Sequence, residues 1–219
     1  MTIFAKFSGA FHHVSNVYAK AAGVWKTVRS VYIKKNGTWM QVYGLHNFLF
    51  YALGLEQTVY PAADAGVWRD GVHGWVAGRS YTLTTYDKYG NVLTNQTFDL
   101  YGESLGTATG QIAGLTNALN ALVTGTLFTL ISYDEPQGGH TDAGLEAAVY
   151  RVGGTSSVYG QAMAYRGAYM LIGQAGFTAA YENYVGVDYT WPDGTTKGDP
   201  NAAIFVRGYI FENKWYLYV

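Results

Sequence analysis

Apolar residues along this chain recur mostly at every second position, and in two places at every third and fourth. The segment VYIKKNGTWMQVY, residues 31–43, shows the first habit most plainly. Val31 and Ile33 take one phase. Trp39, Gln41 and Tyr43 take the phase after the turn, and Asn36-Gly37 stands between. Asn-Gly is the preferred pair for a two-residue hairpin loop, whose backbone needs φ > 0 at both positions. The pattern therefore predicts a β-hairpin. VYAKAAGVWKTV, residues 17–28, anticipates it, and the two segments share V-Y-x-K-x-x-G-x-W-x-x-V. One hairpin is marginal in water and needs a third strand, a neighbouring domain or further copies of the chain to complete it. Two readings follow. Either the pair forms a small meander with Trp25 and Trp39 in a tiny core, or it is an attachment module. In the second case Tyr18, Trp25, Tyr32 and Trp39 bury against a partner, and Asn36 and Gly37 set the turn.

Further along, LHNFLFYALGL (45–55) is an apolar connector, either a short helix or a strand. Residues 60–80 are Gly-rich and predict loop, with Trp68 and Trp75 either flat against a sheet or exposed. Residues 80–87 and 92–102 alternate and predict a hairpin bending at Gly90-Asn91. In 107–125 the period changes: Ile112, Leu115, Leu119 and Leu122 make one helical stripe, and Gly125 takes the C-cap role. Residues 126–134 are strongly apolar and predict a strand buried on both faces. A second helix follows over 141–154, capped by Thr141 or Asp142, striped by Leu145, Ala148, Val149 and Val152, and ended by Gly153. Residues 169–176 predict another buried strand. The remainder is strand and turn, and its last hairpin, YIFENKWYLYV, loosely echoes the first two. The expected fold class is mostly β with packed helices (α+β).

Composition changes the picture in two ways. Charged residues are 13% of the chain, against about 25% in an ordinary soluble domain, while Tyr numbers 20. A surface this short of charge hints at cover by a partner, and Tyr suits sheet surfaces, interfaces and sugar sites alike. Net charge is −1, but residues 1–50 hold six basic residues and no acid; the other 8 of the 14 basic residues and all 15 acids follow. That split predicts a module over 1–50 and a domain over 51–219. Six lysines and arginines, of which Lys20 and Lys34 take matched repeat positions, are few for tracking phosphates, so no nucleic-acid partner is expected. Cysteine is absent, which excludes disulfides, a thiol nucleophile and Cys-ligated metal. No signal-peptide pattern and no run of about 20 apolar residues stands out, so no membrane insertion is expected.

Candidate chemistry is sparse. Asp134, Glu135, His140 and Asp142 follow the buried strand. Paired carboxylates can hydrolyse a glycoside or hold Ca²⁺ with backbone oxygens. Adjacent acids also form turns, and Asp142 is explained as a helix cap. Tyr189 and Trp191 share a strand phase beside Asp188 and Asp193, as rings and carboxylates do in sugar sites, although Pro192-Asp193-Gly194 is a standard turn. His12 and His13 point to opposite faces of a strand and cannot chelate one ion together. No nucleophile elbow, zinc-protease motif or phosphate loop is present. Neither a cofactor, a metal nor catalysis is expected.

Two resemblances add to this. GTLFTLISYDEP, then a helix, VGG and AYRGAYMLIGQAG resemble the interleukin-like (ILEI-type) lectin domain. Tyr133, Asp134, Glu135 and Pro136 match its loop; Arg166, Tyr169 and Gly173 match its next strand; Phe98-Asp99 matches its preceding hairpin. The likeness covers about 80–176 and implies a compact β-sandwich with helices alongside, and a binding module rather than an enzyme. Gly167 departs from it, since an acid is usual there, and so does the lack of cysteine. VWKTVRSVYIKKNGTWMQVYG resembles attachment segments of tailed-bacteriophage fibres and small structural proteins. Together they imply a virion tail, collar, baseplate or fibre component, located on the particle. Its partners would be other tail proteins and its own copies. Its glycan-binding residues for host-surface polysaccharide would be Asp134, Glu135, His140, Arg166, Tyr189 and Trp191. The alternatives are a free-standing lectin with the hairpins as a dimerisation element, and a glycoside hydrolase.

Overall fold

A computed structural model describes the chain except residues 1–3, 8–9, 14–17, 29, 36–37, 45 and 212. Between residues 4 and 45 it describes the side chains of Lys20, Ala22–Val24 and Val28 only. The chain divides into two units, residues 1–46 and 47–219. The expected boundary at 50 falls inside a strand of the second unit.

The first unit is a series of antiparallel hairpins: β1 (Phe4–Phe7) with β2 (Ala10–His13), β3 (Tyr18–Ala21) with β4 (Val24–Thr27), and β5 (Ser30–Lys35) with β6 (Thr38–Gly44). The last two are the expected repeat. The first was not expected, because FAKF and AFHH lack a clean period of two. Ala21 pairs with Val24 across Ala22 and Gly23, whose φ angles are 49° and 82°. Both positive angles fit the tight hairpin turn, and Gly accepts this at no steric cost where Ala does not. Lys35 pairs with Thr38 in the copy, so the same two-residue spacing holds; Asn36 and Gly37 themselves lie outside the described residues. The registers match as well, with Trp25 opposite Lys20 and Trp39 opposite Lys34. The side chains of Tyr18, Trp25, Tyr32 and Trp39 lie outside the described residues. A meander would pair β4 with β5; among the described residues each hairpin pairs only within itself.

The second unit is mostly β, built on a large mixed sheet of ten strands with three short helices. Two antiparallel runs make it up. One has β9 (Val72–Val76), β8 (Gly66–Arg69), β7 (Phe48–Gly54), β17 (Ala203–Phe211) and β18 (Lys214–Tyr218) side by side. The other has β11 (Val92–Phe98), β10 (Ser80–Tyr86), β12 (Leu127–Asp134), β13 (Ala168–Gln174) and β14 (Tyr181–Val185). They meet at a short parallel bridge, where Tyr133 pairs with Leu53 and Asp134 with Gly54. The connector is thus strand β7, central to its run. The Gly-rich region expected to be loop holds the β8–β9 hairpin, turning at Asp70-Gly71 with φ of 53° and 81°. A separate small hairpin pairs β15 (Tyr189–Thr190) with β16 (Thr196–Lys197).

Burial follows the alternation. On β12, Leu127 and Ile131 join Phe48, Phe50, Val206 and Trp215 in a core shared by the two runs. Phe128 and Leu130 point the other way and meet α2 (Gln111–Ala121) and α3 (Ala143–Arg151) through Leu115, Leu119, Leu145 and Val149. Asp142 caps α3, its carboxylate accepting from the Leu145 N–H at 2.9 Å. Gly125 does not cap α2, which ends at Ala121; it sits third in the turn Val123–Thr126 that leads into β12 and donates to the Ala175 carbonyl. Strand β11 stops at Phe98 rather than 102, because Asp99 caps the short helix α1 (Leu100–Ser104) and pairs with Arg79 at 2.6 Å. No helix among the described residues is long and apolar enough to cross a membrane.

Trp215 shows what a hairpin Trp at this register does when it docks. It stands second after the turn, as Trp25 and Trp39 do, opposite Ile210. Its ring sits edge-on to Phe48, Phe50 and Tyr86 at 5.4, 5.4 and 5.1 Å, and its indole N–H donates to the Gly173 carbonyl at 3.0 Å. Truncating a packed aromatic leaves a cavity, and here also a carbonyl without its donor. Trp215→Ala should lower unfolding free energy by about 3–5 kcal/mol in urea titration. A loss of only a few tenths would contradict this docking.

Candidate functional site

Strand β12 is apolar up to Ser132 and then delivers two acids where it meets β7. Asp134 turns the chain with φ of 66°, and Glu135 folds back into the interior with no solvent exposure. Such a carboxylate needs donors inside the protein. It has two: the Gln137 N–H gives to Oε1 and the Arg166 N–H to Oε2, each at 2.7 Å. The loop after β12 is thereby tied to the segment entering β13.

Arg166 completes the tie. Its backbone is also left-handed, with φ of 58°. Its guanidinium pairs with Glu56 and lies 3.6 Å from Asp134 Oδ1, while the Tyr165 ring lies 4.7 Å from it. Two glycines give it room. Gly54 leaves no space for a Cβ against the Arg166 carbonyl. At Gly198 a Cβ would fall 2.6 Å from the Arg166 Cβ and 2.8 Å from Glu56 Oε2. Left-handed Asp134 and Arg166 are strained positions for residues other than Gly, and their occurrence side by side marks a place the fold over-determines.

Burial governs the charges. It pushes Glu135 up to about 7, against the pull of the Arg166 and Gln137 amides. Asp134 is also raised by burial, with the Arg79 charge opposing. Arg166 is lowered by burial. Glu56 Oε2 and Arg166 Nε have no hydrogen-bond partner among the described residues.

Trp191 and Tyr189 reach this cluster through Gly198. The Trp191 indole N–H donates to the Gly198 carbonyl at 3.2 Å, with Tyr189 edge-on at 5.7 Å and the Lys197 ammonium 5.7 Å over the ring. Asp193 holds the hairpin turn, accepting from the Thr195 hydroxyl at 2.6 Å and its N–H at 3.0 Å. Those bonds, with Lys197, bring it down to about 2. Both rings are half-buried and Asp188 is exposed.

His140 does not join. It is 5% exposed, its Nδ1 lies 2.6 Å from the Gln137 carbonyl, and its ring meets Tyr159 edge-on at 6.2 Å. It anchors the far end of the loop against the helix-side core. Among the described residues no group of three or more His, Asp or Glu gathers to hold a metal.

The structure therefore brings together Asp134, Glu135 and Arg166, hangs Tyr189 and Trp191 from them, and leaves His140 in the core. Glu56, Gly54 and Gly198 were not anticipated. Glu56 lies 110 residues from Arg166 in sequence, and no local pattern reports such a pairing. The Arg79–Asp99 pair had a usable signal, since the two residues flank the hairpin ends where Tyr81 meets Phe98. Gly167 has a reason too: the Tyr184 hydroxyl and ring fill the space a side chain there would need.

Glu135 has a consequence for stability. Below about pH 4.5 it is protonated whether folded or not; from there to about pH 7 the unfolded chain releases a proton that the folded chain keeps. Stability should therefore fall as pH rises through this window, by on the order of 1–3 kcal/mol from this group. Glu135→Gln should flatten that slope in chemical unfolding between pH 4.5 and 7. Equal slopes in both proteins would contradict the buried, raised carboxylate. Compared with known proteins, the chain matches no protein-family model and no curated protein.

Proposed function

We propose that this chain is a structural component of a tailed-bacteriophage virion, with the first unit attaching it and the second presented for glycan binding. The observation that carries the reading is the repeated hairpin. Residues 18–27 and 30–44 share turn spacing, Trp register and a Lys opposite each Trp, in a unit that is separate from the ten-stranded sheet. Hairpins this small gain stability by adding to other strands, and symmetric particles supply neighbours in fixed repeats. Their likeness to phage attachment segments points the same way. Partners on this reading are copies of the chain and other tail proteins.

For the second unit the best reading is an ILEI-like β-sandwich. Two five-stranded runs share one core and two helices lie on the outer side of one run. The residues of the resemblance, Tyr133 to Pro136 and Arg166, interlock through Glu135. Within that cluster Glu135 has both oxygens engaged by backbone amides, which supports a clasp and not a hydrolase. Sugar contact falls to Trp191, Tyr189 and the Arg166 rim.

Removing residues 1–46 should leave a cooperatively folding second unit that no longer enters particles, read by mass analysis of purified virions. Normal occupancy by the truncated chain would refute the attachment role. Occupancy by neither protein, with retention on glycans intact, would favour a free-standing lectin. Trp191→Ala should abolish retention on host-surface polysaccharide while costing only about 1–2 kcal/mol, since the ring is half-buried and makes one hydrogen bond. A loss of stability on the scale of a core aromatic, without change in retention, would assign Trp191 to packing.

A further inference from the structure

The outer side of the β17–β18 hairpin carries a continuous row of rings. Along β17 the residues Ile204, Val206 and Ile210 are buried, and Phe205, Arg207, Tyr209 and Phe211 take the opposite side. Tyr216 and Tyr218 share that side through the pairs Tyr209 with Tyr216 and Arg207 with Tyr218. Centroids follow at 6.1 Å from Phe211 to Tyr216, 5.2 Å from Tyr216 to Tyr209, and 6.0 Å from Tyr209 to Tyr218. Arg207 continues the row with its guanidinium 6.0 Å from the Phe205 ring, and Phe205 lies 4.8 Å from Tyr51. Tyr216 is 40% exposed and Tyr218 58%. Single exposed apolar side chains need no explanation, but contiguous ones do.

Three features choose the occupant. The row follows a strand of nine residues, about 30 Å long, which suits an extended polymer. Strands β17 and β18 carry two charged side chains, the cations Arg207 and Lys214, and the sequence places one acid, Glu212, between them. Those charges are too few for a polymer with a phosphate at every unit, and the chain beyond residue 50 carries all 15 acids. A sugar polymer with occasional carboxylates fits both: its C–H faces lie on tyrosine rings, and a guanidinium can take a carboxylate by two parallel hydrogen bonds. The geometry points to an elongated binding face on β17–β18 for a linear polysaccharide bearing carboxylates. This rests on the glycan-binding reading of the second unit and adds a contact surface to the Trp191 cluster.

The test is affinity electrophoresis of the full chain through gels containing hyaluronate or neutral dextran. Wild type should be retarded by hyaluronate. Tyr216→Ala/Tyr218→Ala should weaken this about ten-fold or more while the chain still unfolds cooperatively at a slightly lower midpoint, and Arg207→Gln should erase the preference for hyaluronate over dextran. If retardation is lost in Trp191→Ala and kept in the tyrosine variant, this face is wrong and the glycan reading stands. If wild type is retarded by neither polymer, this face is wrong, and the glycan reading stands or falls on retention by host-surface polysaccharide. If the tyrosine variant instead dissociates an oligomer while polysaccharide retention is intact, the face is a contact between copies and the inference is overturned. Binding of single-stranded oligothymidine that the tyrosine variant abolishes, without hyaluronate binding, would also overturn it.

Discussion

From Leu127 to Ser132, strand β12 has water on neither face, and the second unit is organised around that constraint. Each of its sides must be covered by something different. Leu127 and Ile131 take the core shared with β7 and β17, while Phe128 and Leu130 take the helices. A strand buried this way must also end inside the protein. It ends half-buried, where Tyr133 and Asp134 run parallel to β7, and Glu135 just after it is fully buried. Glu135 then has to be satisfied by amides, which fixes the loop to Arg166; Arg166 needs Glu56 and Asp134; and Gly198 yields space for both. The candidate site is in this sense the price of ending β12 indoors.

Much of this was legible in the sequence, for reasons that can be located. Period-two alternation with a two-residue turn placed β3 to β6, and the residues flanking each turn pair as that spacing requires. The stripe Leu145, Ala148, Val149 placed α3, and Asp142 marked its start. Strong apolarity placed β12 and β13. What failed was where local cues compete. Asp70-Gly71 is a strong hairpin signal, but the glycines around it masked short strands. Phe98 continued an alternating run that Asp99 ended by capping a helix. β7 is apolar on both phases, so periodicity could not separate strand from helix.

The site was less legible than the fold. Asp134, Glu135 and Arg166 were named as candidates, yet their role turned on Glu56 and two glycines far away in sequence, and on burial that adjacent acids do not usually have. His140 looked like a loop histidine and is packed on Tyr159. The tyrosine row escaped notice because its members come from two strands and join only through the register of β17 and β18. The 20 tyrosines divide between core positions such as Tyr81 and Tyr169 and exposed ones such as Tyr216 and Tyr218.

The larger unit has its own core of two clusters; the smaller is hairpins that pair only within themselves among the described residues. The claim on which the account turns is that the hairpins are completed by neighbours. Backbone amide exchange of residues 18–44 tests it most directly, measured in the dilute isolated chain and in the assembled particle. The account predicts exchange near the unfolded rate in the isolated chain and strong protection after assembly, with the amides of β12 protected in both. Strong protection of residues 18–44 in the dilute monomer would contradict it.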